Sequence, residues 1–230
     1  MDRITALRRK RLSLPAVIAV TLVAAIAAGV STSGAETEHA ARHAAERQAL
    51  TARQAAFHDA MRKLWEDHIT WTRLAIVSFA ANLPDLEATE ARLLRNQEDI
   101  GRAIRPYYGR RAANRLTALL KDHITGAVAL LQAARSGDQA QIRSASDAWY
   151  ANGREIADFL HSANPRNWPR AELRSMMKEH LDQTLEEAQD RLAGRFRSDI
   201  RDYDAVHRHI LEMADTLSEG IIRQFPRRFR

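Results

Sequence analysis

The sequence predicts an all-α protein, a helical bundle of about six helices behind an N-terminal signal or anchor. Three observations predict it. From residue 36 onward apolar side chains recur at helical spacing, and few segments alternate with period two. Helix-breaking residues at Asn82-Leu83-Pro84, Pro106 to Gly109, Gly137, Asn164-Pro165 and Gly194 cut that stretch into pieces of helix length. The chain also lacks cysteine, so burial must hold the fold, and thiolate metal sites and thiol nucleophiles are excluded.

The N-terminus carries Arg3, Arg8, Arg9, Lys10 and Arg11 against a single Asp2, followed by an uncharged apolar run from Leu14 to Val30. A positive segment leading into an apolar one is an export signal, and Ser33-Gly34-Ala35 offers small residues for cleavage. Left uncleaved, the same run of 17 residues is at the short edge of what spans a bilayer. Residues 1–35 are therefore a signal peptide or a signal anchor. In both cases the positive-inside rule places the rest outside the cytoplasmic membrane, either secreted or membrane-anchored. This segment supplies +4 of the net charge of +6, which leaves the body close to neutral and removes the basis for a nucleic-acid partner.

Residues 36–60 are rich in Ala and Arg with few large apolar side chains, a helical spacer suited to self-association or a protein partner. The bundle domain is expected over 61–226, with a basic tail at 227–230. Its first helix runs from Met61 to Ala81. Pro84 with Asp85 and Glu87 opens a second, which ends before Pro106. A third covers about Arg111 to Ala134 and is closed by Gly137. Asp138 and Gln141 have capping-box spacing and open a fourth, which ends before Asn164-Pro165. Pro169 opens a fifth, ending at Gly194, and a sixth spans about Ser198 to Gln224.

An internal repeat runs through these helices. Asp67-His68-Ile69-Thr70 recurs as Asp122-His123-Ile124-Thr125 and again as Glu179-His180-Leu181. Their partner helices correspond as well. Asn96-Gln97-Glu98-Asp99-Ile100 resembles Asn152-Gly153-Arg154-Glu155-Ile156, and Glu155 to Leu160 matches Glu212 to Leu217. His68 and Asp99, His123 and Glu155, and His180 and Glu212 stand 31, 32 and 32 residues apart. Three copies of one helical hairpin give this pattern.

If the hairpins pack side by side, two chemistries are open for His68, His123, His180, Asp99, Glu155, Glu212 and Asp215. They converge on a transition metal ion (Fe, Mn or Zn), since His and carboxylates on facing helices are the ligands of metal-binding bundles. Otherwise each histidine bonds a carboxylate in its own hairpin and fixes the register. The body has no Glu-x-x-His pair, HExxH, phosphate-cradling loop or G-x-S-x-G. Around His68, Trp65 and Thr72 share its helical face, and Arg73 is placed to answer a buried acid.

The motifs His68-Ile69-Thr70-Trp71-Thr72-Arg73, Asn82-Leu83-Pro84-Asp85, Arg92-Leu93-Leu94, Asp99-Ile100-Gly101, Pro106-Tyr107-Tyr108-Gly109, Trp149-Tyr150-Ala151-Asn152 and Met213-Ala214-Asp215 resemble an uncharacterised family of small all-helical bacterial proteins common in bacilli. The resemblance runs from about Leu64 to Pro226. Members sometimes carry names such as glycosyltransferase or acetylglutamate kinase, but no α/β sheet pattern in this chain supports those activities. The resemblance implies an all-helical fold and no activity. The leading expectation is an exported, non-catalytic helical-bundle protein of the envelope with a metal at the repeated His and acidic positions. A metal-dependent enzyme using the same residues, or an interaction module without a ligand site, are the alternatives.

Overall fold

The computed structural model describes the chain from Gly34 onward, and its side chains from Thr51 onward. The signal or anchor lies almost wholly outside the described residues. The bundle lies within the compact unit Arg42–Arg230. Among the described residues there are five α-helices and no strand: α1 (Gly34–Ala81), α2 (Leu86–Ser136), α3 (Gln139–Ala163), α4 (Arg170–Leu192) and α5 (Phe196–Gln224). A short 3-10 turn follows at Pro226–Phe229. None of these helices is long and apolar enough to cross a membrane.

The difference from six helices lies at Pro106 to Gly109, where the sequence predicts a loop. The chain instead bends inside α2, with Gly109 alone leaving helical geometry at φ 80°, ψ 172°. Only glycine enters that region without a Cβ clash, so one residue makes the corner. The residues before it are fixed by packing. The Tyr107 ring meets Phe57, Phe225 and Phe229 at centroid distances of 5.1 to 5.7 Å across the contacts Phe57–Tyr107, Tyr107–Phe225 and Tyr107–Phe229. Tyr108 donates its hydroxyl to Gln224 Oε1 at 2.6 Å. Phe57, which the sequence places in the spacer, thus belongs to this aromatic floor.

The other boundaries follow local chemistry. Asn82 takes a left-handed φ of 52° at the end of α1, and Arg135 donates to its Oδ1 at 2.8 Å and to the Phe79 carbonyl. The N–H of Gly137, at φ 74°, caps the Ala133 and Ala134 carbonyls. Asp138 accepts from the N–H groups of Ala140 and Gln141 and from the Gln141 side chain, so it is an N-cap, but the return bond of a capping box is not made, because the Asp138 N–H goes to Ser136 Oγ. Near the far end, Gly220 makes room for Trp168, because a Cβ there would stand 2.0 Å from the indole nitrogen.

Consecutive helices are neighbours: the second arm of α2 packs on α3, α3 on α4 and α4 on α5. Polar contacts then join α1 to α5. Arg62 binds Asp215 through both carboxylate oxygens, and His207 Nε2 lies 2.8 Å from Glu66. Deeper in, Arg73 donates to Glu187 Oε1 on α4 at 2.8 Å and to both oxygens of Asp199 on α5. Both acids are fully buried. Burial pushes the Glu187 carboxyl up to about 7 against the pull of Arg73, whereas the Arg73 and Arg191 guanidiniums hold Asp199 below the usual carboxylate value despite its burial. Arg73→Met would leave the buried Glu187 without its cation and Asp199 with Arg191 alone. We expect a loss of about 3–5 kcal/mol in urea unfolding at pH 8, far above the effect of removing an exposed pair such as Lys178–Asp182.

Candidate functional site: a buried histidine layer

The three repeated histidines sit in mid-helix on α1, α2 and α4, and are 2 %, 4 % and 3 % exposed for His68, His123 and His180. Their rings converge. His180 is the common neighbour, with centroids 5.8 Å from His68 and 6.1 Å from His123. None of the three rings hydrogen-bonds another. Trp65 meets His68 edge-on at 5.7 Å, and Trp149 stacks on His123 at 5.2 Å while donating its indole N–H to the His123 carbonyl.

A recurring clamp holds this layer. One turn before each histidine, the helix carbonyl accepts a side-chain hydrogen bond from the next element. Asn96 Nδ2 donates to the Leu64 carbonyl at 3.0 Å, Asn152 Nδ2 to Leu119 at 3.1 Å, and His209 Nε2 to Met176 at 2.9 Å. A helix carbonyl has a second lone pair beyond its ladder bond, so the clamp costs the helix nothing. Asn96, Asn152 and His209 stand 28, 29 and 29 residues after His68, His123 and His180. The internal repeat is thus written in hydrogen bonds as well as in sequence.

The ring nitrogens fare differently in the three copies. His123 Nδ1 lies 3.0 Å from Asn152 Oδ1, and His68 Nδ1 lies 3.3 Å from Gln97 Nε2. His180 Nδ1 has no partner. The third copy has a histidine where the second has an asparagine, and His209 spends its Nε2–H on the Met176 carbonyl. Two further buried atoms near His68 also lack partners, Gln97 Oε1 and Trp65 Nε1. One turn along the helices lies an apolar cavity of about 50 Å³ whose lining includes Thr72, Ile76, Leu93, Ile124, Trp149 and Thr184. The threonine hydroxyls there are spent on the His68 and His180 carbonyls.

Burial sets the charge state. It lowers His68 to about 3, helped by the charge of His123, and lowers His123 to about 4 against the raising effect of its bond to Asn152. His180 is held well below its ordinary value, by burial first and then by His68, His123 and His209. At neutral pH all three rings are uncharged, the form in which imidazole binds metals.

The four predicted acids do not join them. Asp99 pairs with Arg102 and Glu155 with Arg115, both at partly exposed positions. Glu212 is exposed. Asp215 is taken by Arg62 and by His58 Nε2 at 2.9 Å. The reason is helical phase. Asp99, Glu155 and Glu212 each stand three residues after a clamp residue, about 60° around the helix from it, and that offset places them at the solvent-accessible edge of the helix interface, where Arg102 and Arg115 pair with the first two. Among the described residues no group of three or more His, Asp or Glu side chains is gathered closely enough to hold a metal ion as the chain stands. Gln97, Asn152 and His209 are the functional partners that charge-based alignment passes over. Their signal is the constant offset of 29 residues from each histidine.

The chain matches no protein-family model, no curated protein and no solved structure.

The low folded-state values make stability fall in acid. Unfolded imidazoles take up protons near 6.5, while His68 and His123 in the fold resist until about 3 to 4. Stability is therefore complete above about pH 6.5 and declines by about 1.4 kcal/mol per pH unit for each such ring as pH falls toward 4. Glu187 acts oppositely: its raised folded value makes stability grow as pH falls from about 7 to 4.5. Urea unfolding of Glu187→Gln between pH 7.5 and 4 should show a steeper acid decline than wild type. An equal or shallower decline would contradict the raised value of Glu187, and no acid decline at all in Glu187→Gln would contradict neutral, buried rings.

Proposed function

We propose that this is an exported, non-catalytic helical-bundle protein of the cell envelope that takes up one transition-metal ion in the histidine layer. The observation that carries this reading is His180, whose buried Nδ1 lacks a partner although its ring is the common neighbour of two other neutral imidazoles. An unpaired polar atom in a packed core is costly, and a bound ion relieves that cost. Three different helices supply the rings, and the apolar surround keeps competing water out. His123 already has the carbonyl-type partner that orients metal-ligating histidines. An all-imidazole layer suits zinc, copper or iron and gives manganese little reason to bind. The His123–His180 centroid separation of 6.1 Å exceeds what two bonds of about 2 Å to one ion impose, so uptake draws these two rings together.

Export is supported by the basic-then-apolar N-terminus, and a non-catalytic role by the absence of hydrolase, nucleotide and zincin motifs in the sequence. Membership of the bacilli-type family belongs to this proposal and rests on the motifs from Leu64 to Pro226.

Elemental analysis of natively purified protein, followed by titration with Zn²⁺, Fe²⁺ and Cu²⁺, tests the metal. Near one equivalent is expected for one of them. Uptake should be abolished in His180→Ala and weakened about 10–100-fold in Asn152→Leu. A folded wild type that takes up none of the three ions would make the layer a purely structural device.

A further inference from the structure

The three rings of the layer are not chemically equivalent, and the amides beside them determine how they differ. Asn152 is held in one orientation because its Nδ2 must face the Leu119 carbonyl, at 3.1 Å. Its Oδ1 therefore faces His123 Nδ1 and can only accept. His123 must carry its proton on Nδ1, which leaves a lone pair on Nε2.

Gln97 is fixed by the opposite logic. Its Nε2 donates to the Leu93 carbonyl at 2.9 Å and to Asn96 Oδ1 at 3.2 Å. The Asn96 oxygen is an acceptor because Asn96 Nδ2 is committed to the Leu64 carbonyl. Flipping Gln97 would set its oxygen against two other oxygens. The same NH₂ group faces His68 Nδ1 at 3.3 Å, sharing its two hydrogens among three acceptors, and because an amide nitrogen cannot accept, a proton on Nδ1 would meet no acceptor there. A neutral His68 must then carry its proton on Nε2.

We infer that His123 and His180 offer the lone pairs that hold the ion, while His68 presents an N–H to a small ligand, water or a small anion, completing the ion's coordination. This assignment rests on the metal reading above. His68 is accordingly a positioning residue for the exogenous ligand, and Gln97 sets its tautomer. A fully buried glutamine is a natural choice for that task, because it cannot ionise and cannot turn without stranding its own donors.

Two measurements on the full chain test this. Nitrogen-15 NMR of the metal-free protein reads tautomers directly, with Nε2–H expected at His68 and Nδ1–H at His123. The reverse tautomer at either ring overturns the inference whether or not metal binds. In the Cu²⁺-loaded protein, azide binding followed by its charge-transfer absorption should weaken at least tenfold in His68→Phe and in Gln97→Glu. Measured at pH 9, where the introduced carboxyl is ionised, Gln97→Glu can only accept, so it turns the His68 proton away from the ion. Copper uptake itself should survive both changes. Unchanged azide affinity in a folded His68→Phe, or loss of copper uptake there, overturns the assigned role of His68. The expected tautomers in a protein that takes up no metal would overturn the metal reading alone and leave the donor–acceptor assignment standing.

Discussion

Burying an imidazole in a helix core is costly unless its nitrogens are answered, and much of this bundle is arranged around that cost. Three histidines are placed at equivalent points of three hairpins, and each brings a polar side chain from the following element. Because the clamp bonds a main-chain carbonyl one turn away, it fixes where the second helix sits along the first. Register between facing helices is otherwise weakly specified, since apolar side chains slide past one another at little cost. Here a slip by one turn would strand a carbonyl, an amide and a ring together.

The same constraint accounts for the charged end of the bundle. Arg73 lies five residues beyond His68 on α1 and reaches acids on α4 and α5. Those contacts join the first helix to the last two, which sequence order alone would keep apart. Glu187 stands seven residues beyond His180, so the histidine layer and the ion cluster are two successive polar levels of one core. Between them lie Thr72, Thr184 and apolar side chains. The imperfectly satisfied atoms are concentrated at these levels, and a ligand at the first would complete what the protein alone leaves unpaired.

Much of this was legible in the sequence. The helical body, the ends at Ala81, Gly137 and Gln224, the Asp138 N-cap and the His68–His123–His180 recurrence follow from local chemistry and periodicity. The role of Arg73 was also readable, because a lone cation beside tryptophans on a core-facing helix needs a buried acid. The corner at Gly109 was less so. Proline and glycine announced a break, but only the aromatic packing of Tyr107 and Tyr108 decides that a single residue makes it. The acids were misleading because charge is conspicuous in a sequence, whereas an offset of about 60° around a helix, from the buried face to its solvent-accessible edge, is not.

What the sequence determined by itself is the inventory: an all-helical chain, a repeat of three hairpins, and one histidine in each. Local propensities, caps and spacing carry that information. What only the tertiary structure decided is which groups face those histidines. The four carboxylates turn outward and the amides Gln97 and Asn152 turn inward, because the phase of the partner helix is set by contacts between elements. From that phase come the neutral state of the rings, the fixed tautomers of His68 and His123, and the unpaired nitrogen of His180.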